Sequence, residues 1–258
     1  MISPLTAMAR GKVPGLTRSE DALTGAVLGT LRWLPRGHDL ATFLCMARLY
    51  RPDGTPGARR LPIVRLDQVI PWPWWDRSDV VAGAEPDAVA LVELESGEKA
   101  FVVVEAKHLS GKSGHGDRDQ LLRQWENARA LRGQTHDAHT LPDRFLGIVY
   151  LTSHLAMPRD DLQASWRAIA MRHGPPDLYW LSWRDALPLI DSTPTDAAAF
   201  HAFQAAIAAD LAHVLRRAGL QGFGGWSEPP PPPTWRFTST WRFDTGPPAE
   251  WTFSRSTT

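Results

Sequence analysis

The stretch DAVALVELESGEKAFVVVEAKHLSGKSG, Asp87–Gly114, decides how the chain folds. It holds two apolar runs, Asp87–Glu95 and Ala100–Lys107, joined by the turn residues ESGEK. Short apolar runs bounded by turn residues predict a β-hairpin with both faces covered. The second run nevertheless ends in charge, at Glu105 and Lys107. Alternate residues of a strand share a face, so these two side chains point the same way. In an antiparallel hairpin the start of one strand lies beside the end of the next. Asp87 therefore lands next to Glu105 and Lys107 despite the 17 residues that intervene. Two carboxylates and an ammonium converge at one sheet edge.

Working outward, LTRSEDALTGAVLGTLRWLP upstream predicts a helix. Leu23, Val27, Leu31 and Leu34 recur at helical spacing, Thr17 and Glu20 have the spacing of a capping box, and Pro35 stops the run. LATFLCMARLY predicts a second helix over 40–50, residues 51–60 a loop, and LPIVRLDQVI a strand that runs into the turn PWPWW at 71–75. Downstream, SGKSGHGD predicts a glycine-rich loop and DRDQLLRQWENARALRG an amphipathic helix with Leu121, Leu122, Trp125 and Ala128 on its apolar side. RFLGIVYLTS and DLYWLSW predict buried strands, with helices over 158–172 and 196–218. The expected fold is α/β, a mixed central sheet flanked by helices with a C-terminal helical extension. The expected division is a domain over 1–225 and a proline- and tryptophan-rich tail over 226–258.

Composition narrows the possibilities. Formal net charge is zero, so the basic balance common in nucleic-acid binders is absent. Positive charge is mostly arginine, and lysine stands only at Lys12, Lys99, Lys107 and Lys112. The one cysteine, Cys45, excludes an intramolecular disulfide and fits a reducing compartment. No apolar run approaches the roughly 20 residues of a membrane helix, and MISPLTAMARGKVPG does not read as a signal peptide. The expectation is a soluble, cytoplasmic chain without a membrane partner.

Two neighbouring carboxylates repel, and burying both without a counter-charge is costly. A hard divalent cation removes the conflict; carboxylate oxygens suit Mg2+, with Mn2+ an alternative. Such an ion lowers the pKa of a bound water and so generates a nucleophile. A lysine beside it can orient that water or offset transition-state charge.

Pro86-Asp87, the hairpin and Glu105-Ala106-Lys107 together resemble the PD-(D/E)XK nuclease superfamily of restriction endonucleases and related exonucleases. The resemblance covers roughly residues 17–152. It implies an αβββαβ core and an Mg2+-dependent endonuclease that hydrolyses DNA to 5′-phosphate products, in restriction or anti-phage defence. It implies that Glu20, on the preceding helix, joins Asp87 and Glu105 as a metal ligand, with the Ala106 carbonyl as a further one. It also implies a polar residue on the helix after the lysine strand, a role open to Gln120 and Gln124. The glutamine–tyrosine pair of the exonuclease-like branch is missing, since Gln124 is followed four positions on by Ala128.

Plainer readings stand beside these. Glu20 can be a cap, Asp87 a turn residue, Glu105 with Lys107 a structural ion pair, and Gln120 and Gln124 solvated helix residues. AKHLSGKS is one residue short of a phosphate-binding loop, but GHGDRD follows where that loop must enter a helix. Lys112 is instead expected to approach a DNA backbone. His136 and His139 have zinc spacing without a cysteine or a helix and read as a solvated loop. PWPWW can stack bases, though packing is the commoner use. The alternative function is a nuclease fold kept as a nucleic-acid-binding or assembly subunit. In the tail, WRF recurs at 235–237 and 241–243 after a polyproline spacer, which predicts a strip buried either on the chain's own domain or, as the spacer favours, on a partner protein or a second protomer.

Overall fold

The computed structural model of the protein describes residues 19–55, 60–71, 73, 85–114, 116–136, 139–191 and 202–221. The tail over 226–258, Thr17 and most of PWPWW lie outside the described residues.

Six strands form one mixed sheet. They are β1 (Arg48–Leu49), β2 (Ile63–Pro71), β3 (Ala88–Leu94), β4 (Lys99–Lys107), β7 (Arg144–Thr152) and β8 (Leu178–Ser182), in the spatial order β1-β8-β7-β4-β3-β2. β5 (Thr135–His136) and β6 (His139–Thr140) make a separate two-stranded ribbon where a solvated loop was expected. The helices are α1 (Glu20–Leu31), α2 (Leu40–Cys45), α3 (Gln120–Ala130), α4 (Arg159–His173), α5 (Ala186–Asp191) and α6 (Ala202–Arg217). β2, β3 and β4 are antiparallel neighbours, whereas β4, β7 and β8 run parallel.

Strand alternation builds the two cores. From β4, Val102, Val104 and Ala106 enter one cluster with Leu23 and Val27 of α1 and Leu211 and Leu215 of α6. Phe101 and Val103 enter the other with Leu121 and Leu122 of α3 and Leu162 and Ile169 of α4. The central strand is thus covered on both faces, and its apolar content is what that burial requires. At the β2 edge, Arg65, Asp67, Glu93 and Lys99 form a charged ladder that blunts the unpaired strand.

Three expectations shift. The cap of α1 is Ser19, whose Oγ accepts from Ala22 N–H at 3.3 Å, so Glu20 is the first helical residue and not the partner of a capping box. The predicted helix over 40–50 ends at Cys45, because Arg48 and Leu49 pair with Trp180 and Tyr179 of β8. The predicted strand DLYWLSW stops at Ser182, and Trp183 opens a 3-10 turn that leads into α5; Ser182 and Asp185 supply the capping box there. Among the described residues no helix is long and apolar enough to cross a membrane.

Candidate active site

The hairpin closes as its sequence requires. Ala88 pairs with Val104, so extending the register by one residue sets Asp87 opposite Glu105. Asp87 Oδ2 accepts the Ala106 N–H at 2.7 Å, which ties the start of β3 to the end of β4. All three motif side chains are buried: Asp87 is 9% exposed, Glu105 0% and Lys107 7%.

Lys107 Nζ lies 2.6 Å from Glu105 Oε1 and 2.9 Å from Glu20 Oε1. The first contact lacks the direction of a hydrogen bond, so Glu105 Oε1 is a buried acceptor without one. Glu105 Oε2 accepts from Gln124 Nε2 across the interface with α3. Glu20 is held by three donors. Lys107 meets Oε1, while the His108 N–H and the Ser110 hydroxyl donate to Oε2 at 3.0 and 2.7 Å. Glu20 therefore clasps α1 to the segment that leaves β4.

The electrostatics are asymmetric. Burial, and then the charge of Asp87, push the Glu105 carboxyl up to about 7 against the pull of Lys107 and Gln124. Burial also raises Asp87, more than the Ala106 N–H and the Lys107 charge lower it. Glu20 is partly buried, but its bonds from Ser110, Lys107 and His108 outweigh that and hold it below the ordinary carboxylate value. Burial pulls the Lys107 pKa down; the charges and bonds of Glu105 and Glu20 outweigh it and raise the ammonium above its ordinary value.

The site residues named from sequence are thus gathered unequally. Glu105, Lys107, Glu20 and Gln124 are linked by contact, and the hairpin register sets Asp87 opposite Glu105. Ala106 joins through its N–H and pairs with Leu151 in the β4–β7 ladder. Gln120, at the first turn of α3, keeps its side-chain oxygen buried without a hydrogen bond. Tyr150 of β7 was missed. It pairs with Glu105 in the parallel register, and its hydroxyl is buried without a hydrogen-bond partner. Burial, with the charges of Asp161 and Glu105, raises that hydroxyl's pKa. Nothing in a strand of buried type marks Tyr150 beforehand; the β4–β7 register does.

Lys112 does not reach outward as expected. It forms a buried ion pair with Asp119, each side chain 1% exposed, and donates to Ser165 Oγ of α4 at 2.7 Å. Asp119 Oδ1 also caps α3, accepting from Leu121 and Leu122 N–H at 3.0 and 3.2 Å. A lysine inside a loop packed on two helices is held by the nearest buried carboxylate. The same geometry removes the phosphate-loop reading, because Lys112 is engaged and α3 begins only at Gln120.

Whether the carboxylates fit a divalent cation is decided by their donor set. Asp87 and Glu105 do: both are raised by burial, and one Glu105 oxygen lacks a hydrogen bond. Glu20 is saturated by donors. Among the described residues no group of three or more His, Cys, Asp or Glu side chains is placed to hold a metal ion. Magnesium commonly uses one or two carboxylates and completes its shell with water and phosphate, so a pair suffices. No family model, curated protein or solved structure matches the chain.

Proposed function

We propose that the chain is a divalent-metal-dependent nuclease with a restriction endonuclease-like αβββαβ core, cleaving DNA phosphodiester bonds in a bacterial defence setting. One observation carries this reading: buried Asp87 and Glu105 share a sheet edge with a lysine that their own fold keeps charged. Two such carboxylates oppose burial unless a cation joins them. The chain order α1, β2, β3, β4, α3, β7 supports the proposed core, with α2 and β1 inserted after α1.

In the mechanism, Asp87 and Glu105 would hold the ion. When bound, the ion would supply Lewis-acid stabilisation of phosphate oxygens and a water of lowered pKa. Gln124 fixes Glu105 in orientation through Oε2. Lys107 directs the attacking water and offsets charge on the phosphoryl oxygens. To do so its ammonium would have to turn from Glu105, 2.6 Å away, toward substrate, with Glu20 as its remaining anchor. The position at the carboxyl ends of β4 and β7 is where open α/β sheets commonly bind ligands.

The experiment is incubation of purified protein with supercoiled plasmid, linear duplex and single-stranded DNA, in Mg2+, Mn2+ and chelator. Metal-dependent cleavage of at least one substrate is expected. A second reading, the assembly subunit without cleavage, is favoured by the two-sided pairing of Lys107 with Glu105 and Glu20. Absence of cleavage on every substrate, by protein shown to be folded, selects it.

A further inference from the structure

Lys107 Nζ touches two carboxylates in unlike surroundings. It lies 2.6 Å from Oε1 of Glu105, whose side chain no solvent reaches, and 2.9 Å from Oε1 of Glu20, whose side chain is 24% exposed. The frame around it is fixed. The Lys107 carbonyl accepts from Trp183 Nε1 at 3.2 Å, and the His108 carbonyl accepts from the Ser153 hydroxyl. Gln124 pins Glu105 through Oε2; the His108 N–H and the Ser110 hydroxyl pin Glu20 through Oε2. Each carboxylate therefore turns its Oε1 to the lysine. What is left to move is the lysine side chain, a flexible stem carrying a point charge.

Glu105 Oε1 is the oxygen under competition. Gln124 takes the other oxygen, and Oε1 is a buried acceptor without a directed bond, so it is the one Glu105 can offer an ion. An ammonium and a divalent ion on that oxygen repel strongly, because a site without solvent screens little. Nor can Lys107 be left without an anion, since a buried unpaired charge is costly. Glu20 removes that cost: it already touches Nζ, and it lies nearer to solvent.

We propose that Lys107 is an internal stand-in for the metal ion, handed over from Glu105 to Glu20 when the ion binds, and that Glu20 is a positioning residue for Lys107 and not a metal ligand. The proposal rests on the nuclease reading and adds a resting state to it. In that state the ammonium neutralises the buried carboxylates. The handover carries the ammonium outward, away from the fully buried Glu105, to where a phosphate can meet it.

Two measurements test this without scoring cleavage. The first is calorimetric titration with Mg2+ of the parent, Lys107→Met, Glu20→Gln and the double variant. Lys107→Met should bind about tenfold more tightly than the parent, because the competitor is gone, and Glu20→Gln about tenfold more weakly, because the displaced ammonium loses its second anion. In the Lys107→Met background the Glu20→Gln weakening should vanish, since the two residues act through one contact. Equal weakening in both backgrounds would make Glu20 a ligand, and no weakening in either would remove it as the second seat; each overturns the proposal, as does a Lys107→Met that binds no more tightly than the parent. The second measurement needs no variant to fold. Acetic anhydride labelling of the parent, read by peptide mass, should modify Lys107 severalfold faster in Mg2+ than in chelator. Lys112, 1% exposed in its pair with Asp119, and Lys99, 49% exposed, serve as unchanged controls. Equal labelling of Lys107 in the two conditions overturns the handover. A parent that binds and cleaves with Mg2+ but fails either measurement keeps the nuclease reading and loses the handover. Absence of Mg2+ binding by both the parent and Lys107→Met removes the reading as well.

Discussion

Glu105 is a carboxylate with no solvent exposure, set between the charge of Asp87 and the ammonium of Lys107. Its pKa moves from 4.5 to about 7 on folding, so the folded state holds the proton more tightly. The stability this gives is complete below 4.5 and is lost as pH rises through about 7. In chelator, unfolding free energy should fall across that window by an amount on the order of 3 kcal/mol. Glu105→Gln should flatten the slope; a parent equally stable at both ends would show that the burial is relieved some other way. Glu20 has the opposite sign. Its pKa is lowered, so its contribution stands above 4.5 and is lost as pH falls through the folded value. Glu20→Ala removes the acceptor shared by Lys107, His108 and Ser110, and should lower stability at pH 7 and erase its part of the acid-side loss in a melting series. Asp87, Glu105 and Lys107 were legible because strand alternation and hairpin pairing are local rules. The three donors around Glu20 were not, since they depend on where α1 packs against a segment some 90 residues later in the chain.

At the scale of elements, the segment between β4 and α3 is held by one buried ion pair. Lys112→Met leaves Asp119 without its cation, and breaking a buried pair typically costs about 3–5 kcal/mol. The urea midpoint should drop with an unchanged slope; a loss under about 1 kcal/mol would mean that Ser165 and the α3 cap suffice for Asp119. β7 depends on backbone shape. Gly147 has φ 129°, and a Cβ there would lie 2.1 Å from the Asp177 carbonyl oxygen. Gly147→Ala should therefore destabilise the chain strongly, with protection from hydrogen exchange lost first in β7 and β8. Helices and strands with several repeats of an apolar pattern were readable. β1 was not, because two residues carry no period and only the free edge of β8 makes them a strand. Lys112 was misread for a similar reason: its pair with Asp119 is buried where the loop packs on α4, whose Ser165, 53 residues away, also accepts from it.

For the whole molecule, both apolar cores of the described residues are built between Leu23 and Leu220. Deleting 227–258 should leave a folded chain that still binds metal but loses its assembly, read as the number of chains per particle by light scattering. An unchanged oligomeric state with a much lower melting temperature would place the tryptophan-rich strip in the chain's own core. The sheet order was not readable, because the pairing of β4 with β7 and of β7 with β8 joins strands separated by helices. The candidate site survives that ignorance, since it sits on one hairpin and its two flanking helices. The central claim is that Asp87 and Glu105 hold a cation whose work Lys107 completes. The most direct measurement is plasmid nicking in Mg2+ by the parent, Asp87→Asn and Lys107→Met, with each fold checked by circular dichroism and Mg2+ affinity by calorimetry. The account predicts that Asp87→Asn loses both metal binding and nicking, while Lys107→Met keeps the metal and loses the nicking. Three folded proteins that nick at the same metal-dependent rate would contradict it.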